Sequence, residues 1–211
     1  NERVIRPRLA DAAFFFETDK KTSLIQFRER LKPIVFQKQL GSIFDKTERV
    51  KALSSYIAQQ IGGDCAKAEQ ASELCKSDLV SEMVGEFDKM QGLAGYYYAV
   101  NEGLDSDVAS ALKEHYQPKF SGDALPETET GTIVALADRI DTLTGIFGIG
   151  QKPTGSKDPF ALRRSSLGVL RLMVEKSLAL DLKGLLAKAA ELHGDNINSA
   201  SDTVDAAFAY M

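Results

Sequence analysis

The chain has 211 residues, of which 44% are hydrophobic and 27% are charged, with a formal net charge of −4. This composition is typical of a globular protein with one or two domains and a substantial core. The negative net charge argues against a protein whose whole surface is basic and binds nucleic acid. Any site for a polyanion must therefore be a local patch. Because no apolar run is long enough to cross a bilayer and no secretory leader is recognisable, we expect a cytoplasmic protein without a membrane contact.

The two cysteines carry little information about function. Cys65 and Cys75 have no histidine nearby in the sequence, so they cannot build a closed zinc site. A chain of this size does not need a disulfide to fold, and we interpret both as reduced thiols.

Helical periodicity dominates the chain from end to end. Gly41 and Ser42 open one helix and Gly62 ends it, while Asp64 caps the next. The predicted helices cover residues 4–18, 23–32, 43–61, 64–84, 87–100, 108–116, 130–147, 159–176 and 182–192.

Two local expectations matter below. In the helix at 43–61, the charged side chains Lys46, Glu48, Arg49 and Lys51 are expected to face water or a ligand. The β-branched segment 34–36 is brief and no partner strand follows it, so a helix or an extended connector fits better than a sheet. The predicted fold class is therefore all-α.

The segment 148–164 is the most distinctive stretch of the sequence. Asp158 is predicted to cap a helix whose first residue is Pro159. Cations precede this helix and follow its start, so the segment is a plausible seat for phosphate. Its glycines, expected to permit a tight turn, are Gly148, Gly150 and Gly155.

The same segment has the glycine spacing of a P-loop, but a nucleotide-binding P-loop is excluded. Ser156-Lys157 stands where that motif needs Lys followed by Ser or Thr, Pro153 interrupts the cradle, and the segment follows a helix rather than a strand. The alternative, a solvated and well-capped loop between two helices, stays open.

Catalytic chemistry has little support in the sequence. His115 and His193 are the only histidines, and we interpret each as an isolated capping partner near a helix C-terminus. No serine or cysteine has a recognisable base companion, and no two carboxylates form a convincing acid–base pair. We therefore predict no catalytic residue.

Four positions on successive apolar helices resemble the metal-ligand positions of the HD phosphohydrolase domain. They are Lys46, Ser77, Asp78 and Asp138. In that family a histidine, a His-Asp pair and a later aspartate hold a divalent metal that activates water. Because Lys46 and Ser77 replace the two histidines, the resemblance implies a degenerate HD-like helical bundle without a metal. A metal-dependent phosphohydrolase stays as one alternative.

Longer strings resemble the β subunit of bacterial heterotetrameric glycyl-tRNA synthetase, in order and over almost the whole chain. The string within 153–164 is the most specific. The strings are Asn1–Val4, Arg8–Asp19, Val35–Ser42, Asp45–Arg49, Lys76–Phe87, Gln91–Gly92, Tyr97–Tyr98, Glu114–Pro118 and Pro153–Arg164.

This resemblance implies an α2β2 enzyme that attaches glycine to tRNA-Gly with ATP and Mg²⁺, with the aminoacylation site on the α subunit. The fragment itself is expected to be inactive and to bind no cofactor. The implied organisation is an N-terminal helical segment at 1–40, a degenerate HD-like domain at 41–195, and at 196–211 a linker with the truncated start of an anticodon-binding helical domain.

The resemblance also assigns tRNA recognition to the β subunit, which needs cations placed against phosphates. A structural spacer without RNA contact is the main alternative. The candidate tRNA-binding residues are Lys152, Lys157, Arg163 and Arg164, followed by Arg3, Arg6 and Arg8.

Overall fold

The computed structural model describes residues 2–155 and 157–211, so Asn1 of the first family string and Ser156 of the glycine-rich segment lie outside it. The described part is almost entirely helical, which confirms the all-α prediction. The helices are α1 Glu2–Asp19, α2 Leu24–Glu29, α3 Ile43–Ile61, α4 Cys65–Leu74, α5 Glu82–Glu86, α6 Leu93–Asn101, α7 Ser106–Glu114, α8 Glu129–Gly148, α9 Leu162–Glu175, α10 Leu182–His193 and α11 Ala200–Tyr210.

Helix α8 is the centre of the fold. It packs against α3, α4, α7, α9, α10 and α11, and its side chains are buried on every side. A helix that is apolar all round must be enclosed by others, and α8 meets that condition. Three of the four charged residues that α8 carries, Asp138, Arg139 and Asp141, are consequently drawn into the interior, while Glu129 in its first turn is exposed.

Several helix boundaries follow the predicted caps. Ser42 and Asp45 form a capping box at the start of α3, and Gly62 ends α3 in the left-handed conformation with φ +73°. Asp64 accepts from the backbone N–H of Lys67 at the start of α4. These predictions are confirmed because short polar side chains and glycine satisfy helix ends through local geometry alone.

The single long helix predicted over 64–84 is wrong. The chain leaves the α-helix after Leu74, forms a 3-10 turn over Ser77–Val80 and restarts as α5. Ser81 caps α5 by accepting from the N–H of Val84, and its hydroxyl donates to the carbonyl of Asp78. Local bonds of this kind compete with the helical ladder, which accounts for the break.

A small antiparallel sheet pairs β1 Val35–Gln37 with β2 Gly41–Ser42. The expectation that no partner strand follows this segment is therefore wrong. Gly41, at φ +88°, makes the turn into the second strand. Strands of three and two residues are too short to give a recognisable alternation in the sequence.

Helix α1 is fixed to the bundle by the carboxylate of Asp19, which is 3% exposed. It accepts from the N–H groups of Glu82 and Met83 at the start of α5 and from the hydroxyl of Tyr98, at 2.6–3.0 Å. The division into segments 1–40, 41–195 and 196–211 stays a prediction.

Two further observations complete the description. Cys65 is half-buried and Cys75 is buried, and both are free. Among the described residues, no helix combines the length and hydropathy needed to cross a bilayer.

Candidate functional site

A cluster of buried charges occupies the contact between α3 and α8. Nζ of Lys46 lies 2.9 Å from Oδ2 of Asp141 and 3.1 Å from Oδ1 of Asp138. Nε of Arg49 lies 2.7 Å from Oδ1 of Asp141. Lys46 and Arg49 are only 4% and 8% exposed, so the expectation that they face water or a ligand is wrong. A buried cation needs a carboxylate partner, and α8 provides two.

The side chains of Glu48 and Lys51, predicted on the same exposed side of α3, do keep contact with water. The carboxylate of Glu48 pairs with Arg28, and Nζ of Lys51 lies 3.2 Å from Oε1 of Glu73. The side chain of Glu48 is about half exposed, whereas that of Lys46, two positions earlier in α3, is buried. The charged face of α3 is thus divided between solvent and the interior.

Lys76 brings a second ammonium to the same cluster. Its Nζ lies 3.0 Å from Oδ2 of Asp138 and 3.0 Å from Nε2 of His115. Burial opposes the charge on Lys76, but the adjacent Asp138 carboxylate outweighs that effect and raises the lysine pKa. Burial likewise opposes the charge on Asp138, yet Lys46 and Lys76 together hold its pKa well below the usual range. Asp138 therefore stays ionised between the two ammonium groups of Lys46 and Lys76.

His115 is neutral in this setting. Burial, and then the charge on Lys76, lower the pKa of the imidazole well below its ordinary value. Nδ1 lies 3.2 Å from the carbonyl of Ala111, which can only accept. The neutral ring therefore donates through Nδ1 and accepts from Lys76 through Nε2.

His193 is joined to the other carboxylate of the cluster. Its Nε2 lies 3.0 Å from the backbone oxygen and 3.2 Å from Oδ1 of Asp141. Both histidines do stand at helix C-termini, as the sequence predicts. The interpretation of each as isolated is wrong, because the ring of His115 contacts buried Lys76 and the ring of His193 contacts buried Asp141 of α8.

The four positions that resemble HD metal ligands are not brought together as a metal site. Lys46 and Asp138 meet, but Asp78 turns its Oδ2 to the N–H groups of Gly92 and Gly95, at 2.6 and 3.1 Å. Ser77 is buried, and its hydroxyl has no partner among the described residues.

The donor set does not fit a divalent metal. Asp138 already faces the two ammonium groups of Lys46 and Lys76, and these would repel a cation. Within residues 2–155 and 157–211, no three histidine, cysteine or acidic side chains are grouped to hold a metal ion.

A pocket of about 400 Å³ opens beside the cluster. Its floor includes His115, Asp138 and Arg139, and its rim includes Arg164 at the start of α9. The complete lining is Asp88, Lys89, Gln91, His115, Tyr116, Pro118, Lys119, Asp138, Arg139, Arg164 and Ser165.

The glycine-rich segment differs in detail from its prediction. Helix α9 begins at Leu162 rather than at Pro159, after Ala161 in a left-handed conformation with φ +53°. The carboxylate of Asp158 nevertheless accepts from the N–H groups of Leu162 and Arg163, at 2.8 and 3.0 Å. The carboxylate of Asp158 thus binds the start of the helix as predicted, but the N-cap residue is Ala161, so the predicted cap position and the helical role of Pro159 are wrong.

Two of the three glycines have the predicted role and the third does not. Gly150 and Gly155 have φ of +78° and +49° and make turns as expected. Gly148 is instead the last residue of α8, where a Cβ would lie 2.6 Å from Cβ of Ile197. Its lack of a side chain permits close packing rather than a turn.

The four cations of this segment have different surroundings. Arg163 folds back, and its Nη2 donates to the carbonyl of Gly155 at 2.6 Å. Arg164 lines the pocket described above. Lys157 is exposed, and Lys152 is exposed with its Nζ 5.9 Å from the ring centre of Phe147.

The three arginines of α1 are all exposed. Arg6 pairs with Glu2 at 2.6 Å, and Arg8 lies over the ring of Phe87, with 5.2 Å from Cζ to the centroid. Among the described residues, the side chain of Arg3 forms no ion pair and no contact with an aromatic ring. Their position on a helix that packs against α5 makes them a separate group from the cations of α9.

Sequence reasoning missed the residues that build the cluster and the pocket: Lys76, Lys119, Arg139 and Asp141. One signal was present, since Asp138, Arg139 and Asp141 interrupt a strongly apolar helix. Because this helix must be buried, its charged side chains need partners inside the protein. This requirement could have predicted an internal ion-pair network.

These features define a class of protein: an all-α domain whose interior holds ion pairs between α3, α8 and the segment after α4, and whose surface carries exposed cations. The chain belongs to the family described as glycyl-tRNA synthetase beta subunit, whose sequence pattern matches residues 1–211.

Individual relatives agree with this assignment. The chain is 58% identical over 200 residues to the glycine–tRNA ligase beta subunit of Pseudomonas entomophila, covering 95% of this chain and 29% of that protein. It is 58% identical over 199 residues to the protein of the same description from Pseudomonas putida KT2440, covering 94% and 29%. The corresponding protein of Pseudomonas aeruginosa LESB58 is 56% identical over 200 residues, with 95% and 29% covered. The chain thus spans less than a third of the length of these relatives.

Proposed function

We propose that this chain is part of the β subunit of a cytoplasmic α2β2 glycine–tRNA ligase, which attaches glycine to tRNA-Gly with ATP and Mg²⁺. The family match over the whole chain is the observation that carries this proposal. In the proposal the region is non-catalytic, the aminoacylation site lies on the α subunit, and this chain helps to position and recognise tRNA.

The use of both imidazoles supports a non-catalytic role. Nε2 of His115 accepts from Lys76, and Nε2 of His193 contacts the backbone oxygen of Asp141. A general base needs an available lone pair within reach of its substrate. The acceptor nitrogen of His115 is taken by Lys76, and His193 is only 1% exposed, out of reach of a substrate. ATP and Mg²⁺ are accordingly assigned to the whole enzyme rather than to this region.

The exposed cations of the glycine-rich segment support tRNA contact. Among the described residues, no carboxylate forms an ion pair with Lys152, Lys157 or Arg164. Unpaired surface cations are available to neutralise phosphates, and the release of counterions then drives binding. Arg163 is a weaker candidate, because its guanidinium already donates to Gly155.

A titration of the chain with tRNA-Gly and with a non-cognate tRNA, each at low and at physiological salt, tests the proposal. We expect binding that weakens steeply as salt rises. The variant Lys157→Ala/Arg163→Ala/Arg164→Ala should lose about tenfold or more in affinity, since each phosphate contact that is removed weakens binding.

The matched control removes three exposed lysines elsewhere, Lys21→Ala/Lys38→Ala/Lys183→Ala, and changes the net charge equally. Equal weakening by both triple variants would show a diffuse charge effect and would move the site away from the segment. Absence of binding at low salt would favour the alternative of a structural spacer, which the internal use of Arg163 and Asp158 also allows.

A further inference from the structure

The pocket beside α8 has an excess of positive charge in its lining. Two acidic side chains are present, Asp88 on the rim and Asp138 on the floor. Four cationic side chains face them, so the lining alone carries two more positive than negative charges. The cations are Lys89, Lys119, Arg139 and Arg164.

The acid on the floor does not offset this excess. Asp138 is the shared partner of Lys46 and Lys76, whose Nζ atoms lie 3.1 and 3.0 Å from its two carboxylate oxygens. With Arg49 and Asp141, the cluster behind the pocket wall has three positive charges and two negative charges. Asp138 is the next residue before Arg139 in the chain and its charge favours the charged guanidinium, but its two carboxylate oxygens pair with the lysines.

Arg139 is held without a carboxylate. Its Nη1 donates to the carbonyls of His115 and Ala135 at 3.0 and 2.9 Å. Its Nη2 donates to the carbonyls of Tyr116 and Pro118 at 3.0 and 3.1 Å. Among the described residues, no acidic group lies within ion-pair distance of this guanidinium, which is only 9% exposed. Four carbonyls fix its orientation but leave its net charge in place.

The neighbouring helix is shaped to admit this guanidinium. A Cβ added at Gly168 of α9 would lie 2.7 Å from Nε of Arg139, too close for any other residue without a shift. The arginine is thus fixed by α7, α8 and α9 together. A buried cation that keeps no anionic partner is costly, and a bound anion would remove that cost.

One wall of the pocket is aromatic. The ring of Tyr116 packs on the imidazole of His115 at 3.8 Å between centroids, and its hydroxyl accepts from Nε2 of Gln91 at 2.7 Å. At about 400 Å³ the pocket is within the size range of small-molecule sites. It can therefore enclose a group larger than a single ion.

We propose that this pocket binds the terminal phosphate of a small phosphomonoester of nucleotide size. Arg164 and Lys119 hold the phosphate from the rim, and Tyr116 faces the rest of the molecule. The Nη donors of Arg139 are engaged by the four carbonyls, so this residue attracts the phosphate from the floor through its charge. A terminal phosphate carries up to two negative charges and three outer oxygens, which suits several converging cations better than the single charge of a phosphodiester. This site does not depend on the proposed contact with tRNA.

Calorimetric titrations with inorganic phosphate, adenosine 5′-monophosphate and adenosine test the proposal. We expect the monophosphate and inorganic phosphate to bind competitively and adenosine not to bind. The double variant Lys119→Ala/Arg164→Ala should weaken binding of the monophosphate by about tenfold or more, because it removes two charge-assisted contacts. Both side chains are on the rim, so we expect the variant to keep the circular dichroism spectrum of the native fold.

The control variant Lys152→Ala/Lys157→Ala removes two exposed cations outside the pocket lining and should leave the affinity unchanged within about twofold. A dinucleoside monophosphate, adenylyl-adenosine, supplies a phosphodiester without a terminal phosphate. If it binds as tightly as the monophosphate, the pocket binds the phosphodiester of an RNA backbone and the assignment to a phosphomonoester is wrong. Failure of both phosphate probes to bind, or equal binding of adenosine, overturns the site.

Discussion

Nζ of Lys76 lies 3.0 Å from Oδ2 of Asp138, in the interior between the 3-10 turn after α4 and the middle of α8. In the HD phosphohydrolases that these positions resemble, an aspartate at this position holds a metal ion, whereas the sequence predicts a degenerate bundle without one. Here an ammonium supplies the positive charge, and Lys46 supplies a second one on the other oxygen. The charged interior is therefore held by ion pairs of the chain itself.

The first prediction concerns the stability that this carboxylate provides. Asp138→Asn leaves the ammonium groups of Lys46 and Lys76 without their shared partner. Removing one member of a buried ion pair typically costs about 3–5 kcal/mol, since the remaining charge stays buried. Urea unfolding monitored by circular dichroism should show a loss of this size. Glu2→Gln breaks the exposed pair with Arg6 and should leave the unfolding midpoint unchanged.

The second prediction concerns pH and the buried carboxyl of Asp78. Burial raises its pKa to about 6, against the hydrogen bonds from Gly92 and Gly95 that favour the charged form. The folded state therefore binds this proton more tightly than the unfolded chain. The resulting stability is fully present below the unfolded pKa near 3.8 and is lost as pH rises through 6.

The variant Asp78→Asn isolates this effect from all other titrations. We expect the stability of the wild type, measured relative to the variant, to increase by about 2 kcal/mol as pH falls from 7.5 to 4.5. Free energies of unfolding from urea titrations at several pH values give the difference. Parallel pH profiles for the two proteins would contradict the raised pKa.

Helix ends were the part of the fold that the sequence predicted best. Ser42, Gly62 and Asp64 act within a few residues of their own position, so their roles do not depend on the rest of the structure. The break after Leu74 was missed because Ser81 and Asp78 act through side-chain bonds that no hydrophobic pattern reveals.

The candidate site was predicted less well, for a different physical reason. Periodicity cannot distinguish a charged side chain that faces water from one that faces a carboxylate of another helix. Lys46 and Asp141 are 95 positions apart, and only the packing of α3 on α8 makes them neighbours. Arg163 and Arg164 point in different directions, as the helical rotation of about 100° per residue implies, and one serves the loop while the other lines the pocket.

A third prediction tests the close packing on α8. A Cβ at Gly145 would lie 2.7 Å from Cε1 of His193 and 2.8 Å from Cδ1 of Leu40. Gly145→Ala should therefore destabilise the protein by about 1–3 kcal/mol through overpacking. Gly85→Ala in α5 meets no atom within 4 Å and should be neutral or slightly stabilising. The thermal unfolding midpoint should fall for Gly145→Ala and stay the same or rise slightly for Gly85→Ala. An equal loss in both variants would refute the packing explanation.

A fourth prediction concerns the cap of α9. Asp158→Ala removes the acceptor of the N–H groups of Leu162 and Arg163, which should cost about 0.5–2 kcal/mol. Hydrogen exchange at these two amides should accelerate. Asp181→Ala, which removes the cap of α10, should leave them unchanged. Unaltered exchange at Leu162 in Asp158→Ala would show that the carboxylate does not hold the start of the helix.

The salt dependence of tRNA-Gly binding tests the central claim, contact between RNA phosphates and the cations of the segment before and within α9. The logarithm of the binding constant is measured against the logarithm of salt concentration for the wild type and for Lys157→Ala/Arg164→Ala. Each lost phosphate contact should reduce the slope by about 0.7–0.9, so we expect a reduction of roughly one to two for the double variant. An unchanged slope, with affinities equal at every salt concentration, would contradict contact between tRNA and these two residues.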